Sequence, residues 1–382
     1  MKILFTCLKV VSHFKPLLPF AEALKARGHD VRFAAIAELA DEINGAGFEH
    51  LIQVGPSDET RKKFGERFVN VSAKEASKLY VPEFFMNVLA KTALPGLIKS
   101  LEVWRPDLIV REPTEFSGIV AAQKLGIRHV RLEIVNGESE EAIATKYHKE
   151  FDELRSSVSL PPLGPGCLKD EMSFSAHPQA LDNTPRINTK SPIRFLANPL
   201  HLSGEVPDAD WMPQDDLPMI YATFGTVAAG IDNANDIFRI ALEAFADLPA
   251  KILLTTGKDA PADLISSVPS NVIIRAFVPQ EDVLPHARLM VCHGGSGTVI
   301  AGLASGVPMV ITPLFADQPD NANCLEAAGL CLSVPDADVA SLRNAVVHAL
   351  GDDGMRERAQ MAAKEIAKMA TVDEAVDLML SA

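Results

Sequence analysis

His293-Gly294-Gly295-Ser296-Gly297-Thr298 is the stretch whose reading decides the fold. It follows an apolar run of strand length, Leu289–Cys292, and precedes a helical run, Val299–Ser305. Glycines at such a turn let the backbone approach a bulky anion and leave amide N–H groups pointing at it. Ser296 and Thr298 add hydroxyl donors, and His293 can donate to a phosphate oxygen. The helix N-terminus adds the positive end of its dipole. A plain glycine-rich turn is the alternative. The strand before, the helix after and the histidine at the entry favour the anion site.

Working outward, residues 289–316 contain no Asp, Glu, Lys or Arg. Repeated Gly and Pro, from Gly294 to Pro313, rule out a membrane span and favour a buried strand–helix–strand unit. Further strand candidates in this half are Met219–Phe224, Lys251–Thr255, Asn271–Phe277, Met309–Thr312 and Cys331–Val334. Helical patterns such as Ala234–Phe245 and Val339–Leu350 lie between most of them. Phe224-Gly225-Thr226 stands at the exit of the first of these strands, where a hydroxyl and amides can meet the same anion. Asp317-Gln318 follows a strand and Pro313; a carboxylate beside an amide suits a polyol. Read alone, each is an ordinary loop.

The other half alternates in the same way. Lys2–Leu8, Asp30–Ala35, Asp107–Val110 and Arg128–Leu132 read as strands. Pro16–Arg27, closed by Gly28, and Phe116–Leu125, closed by Gly126, read as helices. Between Ser156 and Pro218 ten prolines exclude long helices and central strands. The expectation is an α/β chain with two doubly wound Rossmann-like domains facing across a cleft. They occupy residues 1–200 and 219–360, with a linker at 201–218 and a helical tail at 361–382 that returns to the first domain.

The 382 residues suffice for two cores. A net charge of -14 disfavours nucleic acid and anionic membrane surfaces, so a phosphate must be held by local geometry. Five cysteines without CxxC spacing read as buried small hydrophobes in a reducing compartment. No signal-peptide pattern precedes the first strand, so a cytoplasmic location is expected, without stable membrane insertion. Asp208–Asp210 and Asp336–Asp338 match an acid–x–acid pattern but read as solvated loop acids, and no His/Cys cluster offers a metal site.

Ser12-His13 follows the first strand, where a histidine could serve as general base. Glu112 ends the strand beginning at Asp107 and could meet it at the same rim. On the residues alone, two unrelated polar groups at loop ends is the better reading.

Phe277-Val278-Pro279-Gln280, the turn at 293–298, Gly306-Val307-Pro308 and Asp317-Gln318, in this order and spacing, resemble the donor signature of nucleotide-sugar-dependent GT-B glycosyltransferases, the family containing the bacterial natural-product enzymes of calicheamicin and macrolide type. The resemblance spans the chain but weakens through residues 50–100 and 135–200. It implies an acceptor-binding first domain and a donor-binding second one. Phe277 and Val278 would flank the base. Thr226, His293, Gly295, Ser296, Gly297 and Thr298 would hold the diphosphate, and Asp317 and Gln318 would touch the sugar. His13 would deprotonate the acceptor hydroxyl, supported by Glu112. Two positions depart from the family: Ser12 stands where Gly is frequent, and Glu112 where Asp is usual, with Glu115 as a second candidate support. A UDP-sugar enzyme would carry a ribose-binding Glu where this chain has Ala301.

The function so implied is inverting transfer of a deoxysugar from a TDP-sugar to a hydroxyl of a hydrophobic natural-product aglycone, with no cofactor and no obligatory metal. A UDP-sugar-dependent transferase of small molecules and a noncatalytic donor-binding homologue are the alternatives; a homodimer is left open. A nucleotide-sugar epimerase would turn over the donor without an acceptor. A nicotinamide-dependent oxidoreductase is disfavoured because Lys9–His13 contains no glycine.

Overall fold

The computed structural model of the chain describes residues 1–8, 11–66, 79–134, 145–165, 172–181, 193–196, 211–212, 216–225, 235–257, 268–314 and 317–381. The chain divides into two compact units. Unit 1 comprises Met1–Ala176, Thr184–Ala197 and Ala370–Ala382; unit 2 comprises His177–Asn183 and Asn198–Met369.

The strands of the first half are β1 (Lys2–Thr6), β2 (Asp30–Ile36), β3 (Glu49–Gln53), β4 (Leu108–Arg111), β5 (Arg128–Glu133), β6 (Ser173–Ser175) and β7 (Ile193–Leu196). Those of the second are β8 (Met219–Thr223), β9 (Lys251–Thr255), β10 (Val272–Arg275), β11 (Leu289–Cys292), β12 (Met309–Ile311), β13 (Cys331–Ser333) and β14 (Ala370–Thr371). Helices that bear on the sites are α1 (Leu18–Ala26), α2 (Lys91–Trp104), α3 (Phe116–Leu125), α4 (Asn235–Phe245), α5 (Ser296–Ala304), α6 (Gln318–Ala327), α7 (Val339–Gly351), α8 (Asp353–Ile366) and α9 (Val372–Ser381).

Unit 1 holds a parallel sheet in the order β14-β7-β6-β5-β4-β1-β2-β3, and unit 2 one in the order β10-β9-β8-β11-β12-β13. Strands covered on both faces must be apolar throughout. The middle strands obey: β4, β8 and β11 are buried at every position. In unit 1, Phe5 stacks on Phe33 at 5.1 Å, and Phe14 meets Phe33 edge-on at 5.0 Å. Such pairs add about 0.5–1.5 kcal/mol beyond their buried area. Phe14 belongs to the short helical turn Val11–Phe14 and so fastens the segment carrying His13 to the core. In unit 2, α4 and α7 pack on the sheet through Phe238, Leu242, Phe245, Leu342 and Val346.

Two sequence expectations are corrected, and a strand that the sequence reading did not include is added. The proline-rich segment contributes β6 and β7, which are only three and four residues long and fit between prolines. The strand β3 lies at the edge of its sheet, where its weakly patterned residues stay partly exposed. The tail at 361–382 is interrupted by β14, and the chain does not leave unit 2 at residue 360. Met355, Ala359 and Ile366 of α8 are buried in unit 2, and α8 packs against α5. The chain joins unit 1 only at β14, which pairs with β7, after which Ala375, Val376 and Met379 of α9 enter the unit 1 core. Most of the expected linker, 201–210 and 213–215, lies outside the described residues.

The helix α3 begins and ends where its sequence dictates. Glu115 caps it by accepting from the Ser117 and Gly118 amides, each at 2.9 Å, and Gly126 closes it with φ +65°. Gly118 is obligatory here: a Cβ would lie 2.5 Å from Thr6 Oγ1 and 2.7 Å from Glu115 Oε2. Gly118→Ala should therefore destabilise the protein by about 1–3 kcal/mol, read as a lower urea midpoint with unchanged slope. An unshifted midpoint would show that strand β1 and the cap can yield.

Candidate functional site

Each sheet reverses its order once. From β1 the chain steps to β2 and β3 on one side, then from β4 to β7 on the other. In unit 2 it steps from β8 to β10, then from β11 to β13. Open α/β sheets bind ligands outside the carboxyl ends of strands at such reversal points. Of the residues singled out from sequence, His13 and Glu112 lie at one reversal point and the turn at His293 at the other.

In unit 1, the exits of the neighbouring strands β1 and β4 bring together His13 and Glu112. His13 Nδ1 lies 3.1 Å from Glu112 Oε1. Glu112 is fully buried. Its carboxylate also accepts from the Leu8 amide at 3.2 Å, from the Thr114 amide at 2.7 Å and from the Thr114 hydroxyl at 2.7 Å. Burial alone would raise its pKa above the ordinary 4.5, but the charge of His13 and the bonds from His13 and Thr114 outweigh it, and the net direction is down. An ionised carboxylate only accepts, so Nδ1 of His13 donates this bond, and in the neutral form of the ring the lone pair is on Nε2.

Glu115 is equally buried but does different work. It is spent on the N-terminus of α3 and the Ser117 hydroxyl, and burial drives its pKa upward. The structure thus pairs His13 with Glu112 and not with Glu115. An apolar recess lined by Cys7, Ile36, Phe85, Ala90 and Phe116 lies beside Glu115.

In unit 2, the exits of β8 and β11 bring Gly225 and Gly295 against the Nε2 edge of one ring, that of His293. A Cβ on Gly225 would come within 2.8 Å of His293 Nε2, and one on Gly295 within 2.5 Å. Only glycine at both positions leaves room for the imidazole. Burial pushes the His293 pKa down to about 4 against the upward pull of Asp317 and the Thr223 backbone, so the ring is neutral at pH 7. Gly295 is the N-cap of α5 and offers no side-chain cap, so no side chain of the cap competes for the first amides of the helix. Ser296 Oγ donates to Asp317 Oδ2 at 2.6 Å.

Phe277 is 71% exposed and Val278 is buried; together they set an open aromatic face on a fixed base. Gln318 is buried, and its side-chain oxygen accepts the Leu314 amide at 2.8 Å, fastening the loop after β12. Gly297 is exposed and Thr298 half-buried at the start of α5. Thr226 and Asp208–Asp210 lie outside the described residues, while Asp338 caps α7 through the Ser341 amide. Among the described residues no group of three His, Cys, Asp or Glu is placed to hold a metal ion, and no helix is long and apolar enough to cross a membrane.

Three participants are not evident from the motifs. Thr114 clamps both oxygens of Glu112. His177, in the proline-rich segment, places Nε2 3.3 Å from Ser296 Oγ. Asn321 bonds to the turn and to Asp317; its spacing of four from Asp317 on a helix was the available signal.

The depressed pKa of Glu112 has a consequence for stability. The ionised carboxylate stabilises the folded state fully above its ordinary pKa of 4.5, and that contribution is lost as pH falls through the lower folded value. Glu112→Gln should therefore be less stable than the wild type at neutral pH, and the gap should narrow as the pH falls below 4.5. Urea unfolding of both proteins across that range checks it; a gap independent of pH would mean the charge contributes nothing.

Comparison with known proteins places the chain in a family. Models of the Erythromycin biosynthesis protein CIII-like family match residues 22–189 with the N-terminal domain and 239–380 with the C-terminal domain. Demethyllactenocin mycarosyltransferase of Streptomyces fradiae is 31% identical over 337 residues, covering 81% of this chain and 70% of that protein. The crystal structure of CalG4, the calicheamicin glycosyltransferase, matches with a TM-score of 0.81 at 22% identity, over 100% of this chain and 97% of that one. Spinosyn rhamnosyltransferase SpnG complexed with thymidine diphosphate matches with a TM-score of 0.79 at 22% identity, over 100% of both chains. With both halves matched in order, the chain belongs to the Erythromycin biosynthesis protein CIII-like family and is a glycosyltransferase of the GT-B fold.

Proposed function

We propose that the chain transfers a deoxysugar from a thymidine diphosphate sugar to a hydroxyl of a hydrophobic natural-product acceptor, inverting the anomeric carbon without an obligatory metal. The observation that carries this reading is the bond between His13 Nδ1 and the buried, ionised Glu112. It fixes the tautomer in which Nε2 can take the proton of an acceptor hydroxyl, and it stabilises the imidazolium that results. The oxygen so activated attacks the anomeric carbon from the face opposite the diphosphate, and the nucleoside diphosphate leaves.

On the donor side, His293, Gly295, Ser296, Gly297 and Thr298, with Thr226, hold the diphosphate through amides, hydroxyls and a neutral imidazole. These dipoles and the start of α5 meet the charge that a metal would otherwise meet. Phe277 stacks on the base beside Val278. Asp317 and Gln318 serve the sugar. The thymidine diphosphate bound to SpnG and the mycarosyl transfer by the S. fradiae relative support this donor class.

Two measurements test the reading. His13→Ala should lower the transfer rate by about two to four orders of magnitude, while nucleoside diphosphate affinity measured by calorimetry stays as in the wild type. Turnover near the wild-type rate would remove His13 from the chemistry.

The nucleotide preference rests on Ala301, half-buried on the second turn of α5, whose side chain offers no carboxylate to a ribose. An unsatisfied 2′-hydroxyl there would cost about 1–3 kcal/mol, and a deoxyribose has none to satisfy. TDP should bind more tightly than UDP to the same preparation. Equal affinities, or tighter UDP, would reassign the donor to the UDP-sugars.

A further inference from the structure

Asn321 lies on α6, outside every motif quoted from the sequence, and it is fully buried. Its side-chain nitrogen reaches three acceptors: the Gly294 carbonyl at 2.8 Å, Asp317 Oδ2 at 3.1 Å and Ser296 Oγ at 3.3 Å. The shortest of these matters most. A trans peptide is planar, so the carbonyl of Gly294 and the N–H of Gly295 point in opposite directions within one plane. Fastening the carbonyl to α6 turns the Gly295 N–H away from α6.

This plane needs fastening. Gly294 has φ +87°, and a Cβ there would strike Ile311 Cγ2 at 2.7 Å, so the position is held by glycine. Two consecutive glycines leave the peptide between them with little steric hindrance to rotation. A buried carboxamide supplies what the side chains of 294 and 295 cannot. Asn321 Nδ2 has two hydrogens, and the second is shared by the Asp317 carboxylate and the Ser296 hydroxyl, which are themselves bonded.

We propose that Asn321 is a positioning residue of the donor site: by holding the Gly294 carbonyl, it aims the Gly295 amide at the donor's diphosphate. It touches neither donor nor acceptor. The proposal rests on the assignment of this turn to the diphosphate.

Leucine at 321 keeps the branching of asparagine and cannot donate. Asn321→Leu should weaken thymidine diphosphate binding by about tenfold, the scale of one hydrogen bond to a charged group. Binding of thymidine itself, followed by ligand-detected NMR, should not change. A residue with only a structural role would weaken both alike. Asn321→Ala repeats the comparison should the leucine variant fail to fold.

A second measurement needs no variant. Gly294-Gly295 is the one Gly-Gly pair in the sequence. Glycine labelled with ¹³C at the carbonyl and ¹⁵N at the amide therefore gives a single one-bond-coupled pair, which reports on this peptide alone. That signal should move when thymidine diphosphate is added to the wild-type protein.

If the wild type binds neither TDP nor UDP, the donor-site assignment fails and this proposal with it. If the wild type binds TDP while the labelled peptide stays in place, the role of Asn321 is overturned and the donor site stands. That role is equally overturned if a folded variant binds TDP as the wild type does, or loses TDP and thymidine in equal proportion.

Discussion

Parallel strands covered on both faces leave one place for polar chemistry, and that constraint organises this protein. The middle strands β4, β8 and β11 are buried at every position, so polar side chains can reach solvent only where the strands stop. Where the strand order reverses, two adjacent strand ends are left without a connection running over them. Both clusters form at such a point. His13 and Glu112 follow β1 and β4; Gly225 and the turn at His293 follow β8 and β11. Neither site would survive a change of register, because neighbouring strand ends must stop level: Thr6 pairs with Arg111, and Thr223 with Cys292.

Two carboxylates three residues apart show how local geometry divides chemical roles. Glu112 and Glu115 are both buried, and burial opposes the charge of each. Glu112 overcomes it through the charge and hydrogen bond of His13 together with the Thr114 bonds. Glu115 has a hydroxyl and the first amides of α3, and its pKa stays raised. The same side chain is thus an orienting anion in one place and a helix cap in the other.

Much of this was legible in the sequence. The apolar run Leu289–Cys292 and the helix Phe116–Leu125 have the bounds their residues suggested, because apolar runs and closing glycines mark them sharply. The strands β6 and β7 were not legible, since three or four residues among prolines carry too little pattern. The choice between Glu112 and Glu115 was open although its answer was in view: Glu115 directly precedes a helix, where a carboxylate serves as cap. His177 could not have been placed from sequence. It lies 119 residues from Ser296, and no periodicity links segments so far apart.

Asn321 and His293 share a logic that charge alone would not supply. A chain with a net charge of -14 repels a diphosphate at long range. Lysine or arginine at the turn would reverse that locally, but would attract any phosphate and hold the leaving nucleotide as firmly as the donor. The residues gathered here are amides, hydroxyls and an imidazole kept neutral by burial. Dipoles act only along their own direction, so their worth depends on aim. A site built from them needs a rigid backing more than it needs charge. The glycines at 225 and 295 leave room for the Nε2 edge of the His293 ring, and a buried carboxamide grips the carbonyl behind the turn. On the proposed reading, the fold grips the donor by holding peptide planes still.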